Sequence, residues 1–278
     1  MIESLLSAAD PRADPYRATR DADLIRARNL FIAEGRLVVR RVLEDRRYRL
    51  HSLLLTPAAH ADLAPALASI DPLVPVLVAS QPDLSAIAGY DVHRGCLALV
   101  HLPPPTALDE LLARATTVVV MEAVTNADNV GGVFRNAAAF GAGGVLLSPT
   151  CCNPFYRKAI RTSMAAVLRV PFARAGERDW PGVLAHVQRA GFAIVALTPR
   201  EPSQTLDAFA ARARPAKLAL VVGTEGAGLT AGVERAADYR VRIPIGGDVD
   251  SLNVAVATGI ALYELTKNRV DEKSPGRL

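Results

Sequence analysis

Short apolar runs bounded by glycine, proline or charge recur along the chain, separated by stretches whose apolar positions repeat with helical spacing. The first rhythm is that of strands buried in a sheet, the second that of helices covering it. In the first third the pattern predicts strands over 31–34, 49–55, 74–78 and 96–100, and helices over 36–44, 58–68 and 82–88. Such alternation implies an α/β sandwich. Residues 1–19 are polar with mixed charge and read as a loose lead-in. The three prolines of His101-Leu-Pro-Pro-Pro-Thr106 favour an extended connector, so a boundary is expected there. The expected organisation is a first domain over 20–102, a linker over 103–115, a second domain over 116–268 and a tail over 269–278.

The second domain repeats the pattern. Strands are predicted over 118–121, 144–147, 192–197, 218–222 and 239–243, and helices over 129–140, 156–163 and 254–265. Val118-Val-Val-Met121 is apolar throughout, as strands of parallel sheets are. The helix over 254–265 is apolar nearly all round and reads as buried. The fold class is therefore α/β, with a parallel sheet in the second domain.

Composition adds little to this picture, and charge adds more. Half of the 278 residues are hydrophobic and 22% are charged, which is ordinary for a globular protein. No apolar run reaches the roughly 20 residues of a membrane span, and no leader is recognisable, so a cytoplasmic protein is expected. Cys96, Cys151 and Cys152 form no metal-binding spacing, so no metal is expected. The net charge is +4, yet residues 17–49 alone hold ten arginines against five acids. This local excess suits a surface that tracks phosphates, although a solvated helix face with charged pairs would look similar.

Three segments carry candidate chemistry, each at the C-terminal end of a predicted strand, where α/β sheets bind ligands. In the first, Asn126 to Asn136, Asp128 or Asn129 is expected to cap the helix. Gly131-Gly132 would let a substrate approach the first turn, and Arg135 offers a fork for phosphate or a reacting oxygen. The second is Gly223-Thr-Glu-Gly-Ala-Gly-Leu229, which has neither the dinucleotide spacing nor a Walker lysine. The third runs from Ile243 to Ala257. Pro244 ends its strand, Gly246-Gly247 permits a turn with positive φ, and Asp250 and Ser251 are the expected caps.

Taken together, Asn129-x-Gly131-x-x-x-Arg135, Gly223-x-Glu225-Gly226-x-Gly228 and Ile243-Pro244-x-x-Gly247-x-x-x-Ser251-Leu252-Asn253 resemble the SpoU/TrmH family of RNA ribose 2′-O-methyltransferases, of the SPOUT superfamily. The likeness spans 118–265. Residues 20–101, with Asn29-Leu-Phe-Ile-Ala-Glu-Gly35 and Gly89-Tyr-Asp-Val-His-Arg-Gly95, resemble the family's ribosomal-protein-like RNA-binding domain. Ala165 stands where the family usually has glycine, and a small packing change without loss of activity is expected. Asn136 replaces a small residue.

The resemblance implies a trefoil knot, which sequence physics alone would not suggest, and a homodimer through the knot helices, with Ala255, Gly259 and Ala261 allowing close approach. It implies S-adenosylmethionine as cofactor, held at Leu197, Thr198, Gly223, Glu225, Gly226, Ile243, Ile245, Leu252 and Asn253. It also implies RNA as substrate, with Arg28, Arg36, Arg40, Arg94, Arg157, Lys158 and Arg161 as RNA contacts. The catalytic set would be Arg135, sometimes described in the family as a general base and preferred here as binding phosphate and stabilising the alkoxide because a guanidinium stays protonated, with Asn129 orienting the ribose, Glu225 fixing Arg135 or its loop, and Ser251 and Asn253 completing the pocket. Ribosomal RNA is favoured as target. The alternatives are transfer RNA, a resistance methylase for ribosomal RNA, and an inactive RNA-binding protein. A nucleotide-dependent oxidoreductase would need a glycine fingerprint after its first strand, which is missing.

Overall fold

The computed structural model describes residues 2–5, 7–17, 20–212, 215–246 and 251–270, without the side chains of His93 and residues 268–270. The chain forms two compact units, Met1–Pro104 with Phe155–Leu168, and Pro105–Pro154 with Arg169–Leu278.

The first unit is built from β1 (Ile2–Ser4), α1 (Asp21–Arg28), β2 (Leu30–Glu34), α2 (Arg36–Glu44), β3 (Leu50–Leu55), α3 (Pro57–Leu67), β4 (Val76–Val78), α4 (Gln81–Ala88) and β5 (Cys96–His101). Its strands form one mixed sheet in the order β1-β4-β3-β5-β2. The lead-in is not loose. β1 pairs in parallel with β4, and a 3₁₀ turn over Pro11–Tyr16 buries Tyr16, whose hydroxyl lies 2.8 Å from Ser52 Oγ. Ile2-Glu3-Ser4 holds a single apolar residue, so no apolar run marks the strand. All five residues of β2 are buried, because helices and loops cover both faces of the sheet. Leu30 and Ile32 enter the core with Leu54, Leu77, Leu84 and Leu97. Phe31 points the other way, with ring contacts to Tyr48 and Phe155.

The second unit opens with α5 (Leu108–Arg114), β6 (Thr117–Met121), α6 (Ala127–Ala139) and β7 (Gly144–Leu147). The chain then contributes Phe155–Leu168, with α7 (Arg157–Thr162), to the first unit, a segment that the sequence pattern assigns to the second domain. It continues through β8 (Phe172–Arg174), α8 (Val183–Arg189), β9 (Ala193–Leu197), β10 (Gln204–Thr205), α9 (Leu206–Ala211), β11 (Leu218–Val222), α10 (Ala231–Ala236), β12 (Tyr239–Arg242) and α11 (Val254–Val270).

The seven strands of this unit form one sheet, β10-β12-β9-β11-β6-β7-β8, with every pair parallel. The C-terminal ends of the four adjacent strands β12, β9, β11 and β6 therefore lie side by side. The central strands β6 and β11 are buried at every position. One face of the sheet packs Val118, Val120, Ala219 and Val221 against Leu184 and Val187 of α8.

Candidate active site

The loops that leave β9, β11 and β12 surround a cavity of about 520 Å³. Leu197, Val222, Ile243, Leu252, Val254 and Ala257 supply its apolar lining. Gly223 to Gly226 and Gly228 bring main chain to its wall, beside Thr198, Arg242, Ile245 and Ser251. Of the nine residues that the resemblance assigns to the cofactor, all but Asn253 line this cavity.

Local geometry explains the glycines. A Cβ on Gly223 would stand 2.4 Å from the carbonyl carbon and 2.5 Å from the oxygen of Gly228. No side chain fits at that spacing, so the loop can fold back on itself only with glycine there. Gly226 and Gly228 hold φ of +83° and +68°. The loop is also tied across to the one after β9: Arg200 donates from Nη1 to Leu229 O (2.8 Å) and from Nη2 to Ala227 O (2.7 Å). The Thr198 hydroxyl donates to Glu234 Oε1 of α10 at 2.8 Å and accepts from Arg200 N, so its oxygen already has partners within the protein. Below, the buried Glu122 accepts from Trp180 Nε1, Thr230 N and Thr230 Oγ1, which anchors the end of β6 to the start of α10. Arg200, Glu122 and Glu234 carry no motif, and the sequence pattern does not single them out.

Asn253 joins the three motif segments. Its Nδ2 donates to Asn129 Oδ1 (2.9 Å) and to Glu225 Oε1 (2.7 Å), while its Oδ1 accepts from Ala255 N (3.0 Å) and Val256 N (3.3 Å). Asn253 therefore caps α11, in place of the expected Ser251; Asp250 and Gly247 lie outside the described residues. Gly246 does not adopt a positive φ. The cap of α6 also differs from expectation. Asn126 accepts from Asp128 N at 2.8 Å, which leaves Asn129, buried to 7% exposure, for Asn253.

Helix α6 presents three faces, as its 3.6-residue period dictates. Val130, Val133, Phe134 and Ala137 are buried. Asn129, Gly132 and Asn136 face α11: a Cβ on Gly132 would come 2.6 Å from Ala255 Cβ, and Asn136 Nδ2 donates to Ala255 O at 2.6 Å. Gly132 thus serves helix packing and not the approach of a substrate. Arg135 is exposed on the third face, with no hydrogen-bond or ion-pair partner among the described residues.

Other expectations change too. Ala255 and Gly259 pack against Gly132 and Asn136 of the same chain, and Ala261 is buried. Helix α11 is not buried all round, because Val256, Ile260 and Tyr263 are 52%, 41% and 56% exposed. Ala165 and the preceding Met164 hold φ of +66° and +51°, so the departure from glycine burdens the backbone and not the packing. Among the expected RNA contacts, Arg157 is engaged within the first unit. Its Nε pairs with Asp21 Oδ1 at 2.6 Å and its Nη1 donates to the Tyr90 hydroxyl at 3.1 Å. Arg40 pairs with Asp62 at 3.0 Å, and Arg36 Nε donates to Arg94 O. Arg28, Arg94, Lys158 and Arg161 are exposed. Among the described residues no helix is long and apolar enough to cross a membrane, and no cluster of His, Cys, Asp or Glu could hold a metal ion.

Residues 116–263 match the model of the SpoU rRNA Methylase family. A Mycobacterium bovis protein named as an uncharacterized tRNA/rRNA methyltransferase is 38% identical, over 96% of this chain and 92% of that protein. The Bacillus subtilis 23S rRNA (guanosine(2553)-2′-O)-methyltransferase RlmP is 29% identical, over 67% of this chain and 70% of its own length. The crystal structure of an AdoMet-bound rRNA methyltransferase from Sinorhizobium meliloti superposes with a TM-score of 0.78 at 26% identity, covering 96% of this chain and 98% of that one.

Proposed function

Because the chain belongs to the SpoU rRNA Methylase family, we propose that it methylates a ribose 2′-hydroxyl of ribosomal RNA with S-adenosylmethionine as donor. The observation that carries this reading is the bridge from Asn253 to Asn129 and Glu225, at the edge of a cavity walled by glycine main chain. The residues fit the donor. An apolar floor suits an adenine, and edges of main chain left free of side chains suit its polar atoms. Leu197, Thr198, Gly223, Glu225, Gly226, Ile243, Ile245 and Leu252 would hold it, with Asn253 fixing the loops around it. When bound, it supplies an electrophilic sulfonium methyl group.

The chain's own task is the acceptor. A ribose hydroxyl is a weak nucleophile until its developing negative charge is met. Arg135, exposed and unpaired among the described residues, would grip the phosphate beside the target ribose and stabilise the alkoxide oxygen. A guanidinium does not give up its proton readily, so the hydroxyl proton would pass to that phosphate or to water. Asn129 would orient the ribose, and Ser251 would complete the pocket rim. Ribosomal RNA is favoured over transfer RNA on the likeness to RlmP, a 23S rRNA 2′-O-methyltransferase by name.

The same reading includes a trefoil knot through the segments from β11 to α11, and a ribosomal-protein-like RNA-binding role for the first unit. It includes a homodimer as well. Val256, Ile260 and Tyr263 form an exposed apolar row along α11, which suits the helix of a second copy better than the small residues beside α6. The test is Arg135→Lys, assayed by methyl transfer to RNA, with ribose methylation mapped in cells with and without the gene. A fall of more than about tenfold, above roughly 1.4 kcal/mol, is expected. A smaller fall would refute a role specific to the guanidinium fork.

A further inference from the structure

The first unit contains a cleft of about 450 Å³ that the motifs do not touch. It lies at the end of the sheet where β3 begins and β5 finishes, walled by Val42 and Leu43 of α2, by Asp45, Arg46 and residues 48–51, by the loop over 69–74 and by His101. Its floor is apolar, with Val42, Leu43, Leu50, Ile70 and Val74, and basic and titratable side chains stand among them. The rings of His51 and His101 are 5.9 Å apart, and Arg49 Nη2 lies 3.3 Å from His101 Nδ1. Arg46 lines the cleft, and Arg28, exposed at the end of α1, raises the local potential around His51. The acids nearby are already engaged. Asp45 accepts from Arg47 Nε, Arg47 Nη2 and Arg47 N, and Asp71 accepts from Leu73 N. Leu73, at the lip, is 85% exposed.

We propose that this cleft binds an unpaired nucleotide of the RNA substrate, with its phosphate against Arg46, Arg49 and the two imidazoles and its base against Leu73 and the histidine rings. The proposal rests on the reading that the chain methylates RNA. A cationic wall beside flat rings and an exposed apolar side chain is the combination that single-stranded or looped RNA requires. A volume of this size also suits a ligand no larger than a nucleotide. The cleft includes none of the arginines that the motif likeness assigns to RNA. Arg36 and Arg94 flank the opposite end of the same sheet, where β2 finishes and β5 begins.

The electrostatics give the site a second readout. Partial burial and the neighbouring Arg28 hold His51 below the ordinary histidine range; burial, Arg49 and His51 do the same for His101. Asp45 and Asp71 also face the cleft, and the Tyr48 hydroxyl, pushed up to about 12 by burial, stays neutral. An arriving phosphodiester favours the protonated imidazoles. Binding therefore takes up protons, and affinity for RNA rises as pH falls from 8 to 6.5.

The test uses the full chain, radiolabelled S-adenosylmethionine and deproteinised total RNA from cells lacking the gene. Arg49→Gln/His101→Gln should raise KM for RNA at least fivefold at pH 6.5, with KM for S-adenosylmethionine unchanged and kcat within twofold. His51→Gln/His101→Gln should abolish the fall in KM between pH 8 and 6.5. Leu73→Ser, at an exposed position that leaves folding intact, should raise KM for RNA by itself. Arg189→Gln/Arg235→Gln, which removes two exposed charges from the second unit, is the control for bulk charge. An unaltered KM for RNA in the cleft variants, or an equal rise in the control, overturns the site while RNA methylation by the unmodified protein stands. No transfer by the unmodified protein overturns both.

Discussion

Replacing Asn253 by alanine removes four hydrogen bonds at once, and their separation into two pairs makes the consequence calculable. Two of them cap α11 through Oδ1. Loss of an asparagine cap costs about 1 kcal/mol. The other two run from Nδ2 to Asn129 and Glu225. Each net hydrogen bond is worth about 1 kcal/mol, and the one to the exposed Glu225 belongs at the lower end, about 0.5. Asn253→Ala should therefore destabilise by about 2.5 kcal/mol. Asn253→Ser keeps a capping oxygen but cannot reach Asn129 or Glu225, so it should cost about 1.5. The two variants should differ in stability by about 1 kcal/mol in urea unfolding. In calorimetry with S-adenosylmethionine they should lose the same affinity, about tenfold, because both release the loops around the cavity. If the serine variant binds the donor like the unmodified protein and only the alanine variant is weakened, the cap and not the bridge organises the cavity. Equal stability of the two variants would refute the capping role.

Two further substitutions probe backbone and packing. Ala165→Gly should stabilise the protein by about 1 kcal/mol in the same unfolding assay, since glycine tolerates the φ of +66° that alanine resists; a destabilisation would mean that the methyl group's packing outweighs the strain. Gly132→Ala should cost about 1–3 kcal/mol through the clash with Ala255 Cβ, even after the gain in helix propensity, and adding Ala255→Gly should restore most of it. Additive losses in the double variant would show that the two helices do not meet there.

The strands richest in apolar residues were legible in the sequence, and so was the line of motifs. Val118 to Met121 and Leu218 to Val222 are buried at every position, and no helical period competes with that pattern. The cavity lining followed from the motif likeness, because loops at strand ends are where such residues meet. What sequence could not supply was the division of labour among neighbouring polar residues. Asn126 and Asn129 are equally good caps by type, and only packing against Asn253 decides between them. The apolar residues of α11 looked uniformly buried because periodicity reports a stripe only when polar residues interrupt it. The cluster of His51, His101 and Arg49 joins strands far apart in the chain, which spacing along a sequence cannot reveal. β1 escaped for lack of an apolar run, and short β8 and β10 for lack of length.

The bridge at Asn253 also sets the order in which the protein matures on the ribosome. Its partners lie 124 and 28 residues earlier in the chain. At translation speeds of about 5–20 residues per second, Asn129 waits on the order of ten seconds for the residue that completes its neighbourhood. The strands β7 to β12 are all added during that interval, and the crevice is finished only at its end. A crevice joined by its latest-made segment is incomplete in any nascent chain that stops short of residue 253.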